Sequence, residues 1–159
     1  LKGFSRYASG QDRLLVLIDY TKPCTEKRFY ILDLLQKKLL LSTYVAHGRG
    51  SGDNYAVAFS NRPGSYQSSL GFFRTGDTYM EKNGYSLFLD GLEKGINDKA
   101  RERAIVVHGA NYADPAVLKG QQRLGRSLGC PALPPDISKQ VIDTIKGGVL
   151  LYIYGLNKA

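Results

Sequence analysis

The chain has 159 residues, with 22 Lys and Arg against 14 Asp and Glu, a net charge of +8. Hydrophobic residues make up 43% and charged residues 23%, a balance that fits one globular domain, residues 1–159, with a real core. No apolar run approaches the ~20 residues of a membrane span, and the dispersed basic residues argue against a nucleic-acid-binding stripe, leaving only a general preference for polyanions.

In chain order, the sequence predicts mostly strands. "RLLVLIDY" (13–20) and "KRFYILDL" (27–34) flank the loop "TKPCTE" and read as a hairpin. "KLLLSTYVAHG" (38–48) extends it to a three-stranded meander. The Gly- and Ser-rich stretch 47–71 is too polar for a core and long enough to suggest a functional loop. Strands resume at 70–76, 84–91 and 103–109, with a turn at Asn83-Gly84. "PPDISKQVIDTIKGG" (134–148) predicts a helix capped by Asp136, with Ile137, Val141 and Ile145 on one face and Gly147 as the stop. "VLLYIYG" (149–155) closes the chain as a strand. The expectation is a mainly β, sandwich-like domain with one or two short helices. A chain that starts at Leu1 rather than Met also reads as a processed product whose signal peptide has been removed.

There are two cysteines, and "GRSLGCPALP" (125–134) frames the second, Cys130, between glycine and prolines. A disulfide with Cys24, a metal site, an inert buried thiol and a nucleophile all remain open. The metal reading needs Cys24, His47, His108 and Cys130 to converge, and no two of them have the short spacing of a zinc site. The nucleophile reading uses the frame: Gly129 lets a carbonyl approach, the N–H groups of Gly129 and Cys130 can face an oxyanion, and Pro131 restricts Cys130. A thiol of pKa ~8.5 then needs a base. His108, at the end of "RAIVVHG", is the first candidate; His47, at the end of "YVAHG", is its rival.

"IVVHGANY" followed by "RSLGCPAL", together with "HGRGSG", "GSYQSSLGFFRTG" and "LFLDGLEKGIND", resembles the murein L,D-transpeptidase catalytic domain family, the YkuD-like cysteine enzymes. The likeness spans nearly the whole chain. It implies a β-sandwich-like fold and acyl transfer on peptidoglycan tetrapeptide stems through a thioester on Cys130, with release of the terminal D-amino acid and cross-linking to an amine. An L,D-carboxypeptidase or cross-link hydrolase using the same thioester, and a non-catalytic wall-binding module, are the alternatives. The resemblance implies His108 as base, with the Gly109 carbonyl orienting it, and Ser127 at the family's Ser/Thr position. It implies no cofactor and no metal, peptidoglycan stems rather than nucleic acid as partner, and a place in the bacterial cell envelope, periplasmic or secreted; the sequence leaves the oligomeric state open, and a monomer is assumed. Arg126 is a candidate carboxylate contact, and His47, Arg49, Ser68 and Ser69 are expected to line the cleft. Two departures stand out: Leu128 replaces the second histidine of better-known members, and Pro131-Ala132 follow the cysteine.

Overall fold

The computed structural model describes residues 3–158. After a single helical turn, α1 (Phe4–Tyr7), three strands form the meander: β1 (Leu14–Asp19), β2 (Phe29–Asp33) and β3 (Lys38–Thr43). They are followed by β4 (Gly71–Glu81), β5 (Gly84–Gly91), β6 (Val106–Gly109), the two-residue β7 (Ala132–Leu133), α2 (Pro135–Ile145) and β8 (Leu150–Tyr154). All eight strands belong to one sheet in the order β3-β2-β1-β8-β4-β5-β6-β7. Ala46, just past β3, bridges Ala132 of β7, so the sheet's two ends meet and its shape is barrel-like. The facing layers expected of a sandwich are therefore halves of one curled sheet.

Hydrophobic alternation accounts for most of this. Phe29 and Ile31 on β2 point inward with a polar or half-buried residue on either side, as the period of two requires. β8 is apolar almost throughout, and it lies in the middle of the sheet, parallel to β1 and antiparallel to β4. Val16, Ile18, Phe73, Leu87, Leu89, Leu151 and Ile153 share one core with Val141, Ile142 and Ile145 of α2. Each such side chain contributes about 1.5–3 kcal/mol on burial.

Several boundaries differ from expectation. β3 stops at Thr43 instead of continuing to Gly48, because the chain turns there to reach β7. The β4–β5 turn uses Lys82 and Asn83, and Gly84 opens β5 with φ +82°. The helix starts at Pro135 and is preceded by Pro134, so Asp136 sits in its first turn rather than capping it. It ends at Ile145, two residues before the glycine that marks the stop in the sequence.

β6 is shorter than the run 103–109 because a helical turn precedes it. Ala104 N–H bonds to Arg101 C=O and Ile105 N–H to Ala100 C=O, closing that turn with Ala104 at φ +56°. This is the paired bonding of a glycine-terminated helix end, made here by alanine.

Candidate active site

β6 and β7 build the centre of the site. They run parallel, with His108 opposite Ala132 and Gly109 opposite Leu133. Extending that register backwards sets Cys130 beside Val106, and the thiol makes its contacts there. Sγ accepts from Val106 N–H at 3.4 Å and donates to Ala104 C=O at 3.4 Å. Cys130 is half-buried. Burial pushes its thiol pKa up, while the Val106 N–H and the Arg103 guanidinium act in the opposite direction and Glu81 adds to the rise.

His108, two residues along β6, is largely buried. Its Nδ1 lies 2.9 Å from the Gly109 carbonyl. A carbonyl only accepts, so Nδ1 is the donor, and in the neutral imidazole Nε2 is then the nitrogen with the lone pair. The imidazole borders an open groove of about 490 Å³ whose walls include Lys82, Tyr85, Tyr112, Pro135 and Ser138. Tyr112 is held well away from ionisation, at about 12, by burial and by the neighbouring Cys130. In this structure the thiol's two hydrogen bonds go to the backbone of residues 104 and 106, and the imidazole is not among its partners.

The turn before Cys130 is fastened by Ser127. Its hydroxyl donates to the Cys130 carbonyl at 2.6 Å and accepts from Gly129 N–H at 3.1 Å. The Gly129 N–H, expected to face an oxyanion, is therefore already engaged inside the turn. The Cys130 N–H has no hydrogen-bond partner among the described residues. Gly129 has φ +126°, and a side chain there would press on Ile105 and on the Gln67 carbonyl. The "HGRGSG" segment explains itself by the same crowding: Gly48 packs against Gly129 and bridges Ser127.

The other expected binding residues are placed differently from the sequence reading. His47 is 1% exposed and does not line the groove. Arg28 Nη2 donates to its Nδ1 at 2.8 Å, and its Nε2 faces the Gly52 carbonyl at 3.1 Å. With both nitrogens engaged, burial and the Arg28 charge hold His47 down to about 4. Ser68 and Ser69 are buried too: Ser68 Oγ accepts from Gly48 N–H, and Ser69 Oγ donates to the Ser60 carbonyl. Arg126 Nη1 reaches Asp53 at 3.1 Å and the carbonyls of Gly52 and Arg49, tying the 49–53 loop to the cysteine turn. Arg49 is exposed, its guanidinium 4.5 Å from the centre of the Tyr66 ring. Leu128, at the position of the missing histidine, is 57% exposed.

Cys24 and Cys130 are both free thiols, so the disulfide reading is set aside. Cys24 is buried, donating to Asn54 and accepting from the Leu124 N–H. Among the described residues, no three His, Cys, Asp or Glu side chains are grouped as a metal site.

Arg103 is a residue that the sequence reading passed over. Ahead of a strand and next to Glu102 it looks like an ordinary surface arginine, yet it reaches the cysteine turn. The signal that could have raised it is its position within the same short run as His108.

Over residues 1–154 the sequence matches the L,D-transpeptidase catalytic domain family. The chain belongs to that family. A search of curated protein sequences gave no match. Among solved structures, it is similar to an L,D-transpeptidase from Mycobacterium smegmatis, with TM-score 0.53 and 13% identity over 90% of this chain and 59% of that one. It is also similar to an L,D-transpeptidase from Stackebrandtia nassauensis, with TM-score 0.54 and 15% identity over 98% of this chain and 62% of that one. The helical cell shape determining protein Pgp2 of Campylobacter jejuni gives TM-score 0.60 and 16% identity over 93% of this chain and 50% of that one. At these identities the likeness is one of fold, and this L,D-transpeptidase family member spans about half to three-fifths of the length of those structures. Among the described residues, no helix is long and apolar enough to cross a membrane.

Proposed function

We propose that the chain carries out cysteine-dependent L,D-acyl transfer on peptidoglycan stem peptides in the cell envelope, with Cys130 as nucleophile and His108 as general base. The observation that carries this reading is the 2.9 Å contact between His108 Nδ1 and the Gly109 carbonyl. The Nδ1 proton is committed to that carbonyl, which leaves Nε2 able to take a proton at the end of the strand that holds the thiol. Membership of the L,D-transpeptidase catalytic domain family supports it.

In this mechanism the thiol gives up its bond to Ala104 C=O and passes its proton to His108 Nε2. The thiolate attacks the carbonyl at the L-centre of the stem's third residue, and the resulting oxyanion faces the Cys130 N–H. The C–N bond to the terminal D-alanine breaks, His108 returns the proton to the departing amine, and a thioester remains. The neutral side-chain amine of a second stem attacks that thioester and loses a proton to His108; the C–S bond breaks, and His108 returns the proton to the departing sulfur, which regenerates the thiol. The Gly109 carbonyl keeps the ring in one tautomer throughout, the part a carboxylate plays in other triads. Lys82 at the groove's edge offers a cation to a stem carboxylate.

The test is product analysis after incubation with a tetrapeptide muropeptide, with and without an amine acceptor. Wild type should release D-alanine and form a cross-linked dimer, and Cys130→Ala should do neither. Release of D-alanine without dimer would replace transferase by carboxypeptidase; product formation by the alanine variant would remove Cys130 from the role.

A further inference from the structure

Arg103 stands just ahead of β6, and its guanidinium crosses to the loop of residues 60–69. Nη1 donates to the Ser60 carbonyl at 2.9 Å and to Ser69 Oγ at 2.7 Å. Nη2 donates to Ser65 Oγ at 3.1 Å and to the Gln67 carbonyl at 2.8 Å. All four acceptors are neutral, and no carboxylate among the described residues forms an ion pair with it. The side chain thus holds a fixed, uncompensated positive charge against the cysteine turn. A Cβ on Gly129 would lie 3.5 Å from Nη2. The same short segment also grips the thiol, through Ala104 C=O and Val106 N–H.

Two roles suit an arginine at such a place: gripping a substrate carboxylate, or stabilising the thiolate by its charge. Geometry separates them. A carboxylate grip needs a free pair of N–H groups in a planar fork. Here four of the five N–H groups are already engaged, leaving Nε alone. A charge acts over distance and needs no free donor.

We propose that Arg103 is a positioning residue for Cys130, braced by the 60–69 loop so that its charge favours the thiolate that the burial of the turn opposes. The inference rests on Cys130 being the nucleophile. In its favour, burial raises the thiol's pKa whereas Arg103 lowers it.

The experiment measures the rate of alkylation of Cys130 by iodoacetamide against pH, with peptide mapping to separate Cys130 from Cys24. The reagent needs no muropeptide, so failure of the transferase reading and failure of this one are distinguishable. In Arg103→Gln the midpoint should rise by about one pH unit, an approximately tenfold slower alkylation at a fixed pH below it. Arg103→Lys, which keeps the charge, should recover most of that shift even where its melting temperature falls. A second variant guards against misfolding of the first: Ser65→Asp places a carboxylate beside the intact guanidinium and should also raise the midpoint. An unchanged midpoint in Arg103→Gln or in Ser65→Asp, with only the melting temperature altered, would make Arg103 a mechanical brace and overturn the proposal. Equal shifts in the Lys and Gln variants would overturn it as well.

Discussion

His47 and His108 begin alike: each closes an apolar run, each precedes a glycine, and each is buried. Their surroundings then separate them. His47 sits under the glycine-rich loop with Arg28 on one ring nitrogen and a carbonyl on the other, and it stays neutral down to about pH 4. His108 spends one nitrogen on the adjacent carbonyl and keeps the other for the groove. A histidine is useful as a base only while one nitrogen is unspent, so under the proposed mechanism two residues of the same type and local sequence take a structural and a chemical role.

The sharpest way to break that division is to remove each ring in turn. His108→Ala should lower turnover on muropeptides by about 10²–10⁴-fold with little change in melting temperature. His47→Ala should do the reverse, destabilising the protein while each folded molecule retains turnover within a few-fold of wild type. Crippled turnover in a fully folded His47→Ala protein would exchange the two assignments.

The second contrast lies in the pH dependence of stability. His47 takes its proton near 6.5 when unfolded and only at about 4 when folded, so between those values the unfolded chain binds more protons. Stability from this group is complete above pH 6.5 and is lost as the pH falls towards 4, by about 3 kcal/mol over that window. Urea titrations at a series of pH values should show this slope in wild type and not in His47→Gln.

The smallest effect concerns the residue that joins the two regions. Ser127 N–H donates to the His47 carbonyl, and the Ser127 hydroxyl fastens Gly129 and Cys130. Ser127→Ala leaves two backbone groups of the cysteine turn without their partner and should cost about 1–3 kcal/mol. Turnover should fall together with stability, and Ser127→Thr should restore both.

Much of this molecule was legible in the sequence where its causes are local. Apolar runs bounded by turn residues placed β1, β2 and β5 within a residue or two, and the glycine–cysteine–proline frame marked a turn that the structure seats against β6. The remainder depends on contacts made across the chain. β8 enters the sheet between β1 and β4, a pairing that no local pattern encodes. β7 is two residues long and exists because β6 and Ala46 lie on either side of it. The polar stretch 47–71 reads as a solvated cleft wall, yet Ser51, Ser68 and Ser69 are buried because each side-chain hydroxyl meets a backbone group of a neighbouring loop. His47 could not be told from His108 by sequence, since the partner that occupies its Nδ1, Arg28, lies nineteen residues away on another strand end.

The most direct measurement is intact-protein mass spectrometry of wild type and Cys130→Ala after rapid mixing with a tetrapeptide muropeptide. Wild type should carry a transient adduct equal to the stem less its terminal D-alanine, mapped to Cys130, accumulating in the absence of an amine acceptor and discharged when one is added. A folded wild-type protein that releases D-alanine with no adduct at Cys130, or an adduct that persists in Cys130→Ala, would contradict thioester chemistry at this site.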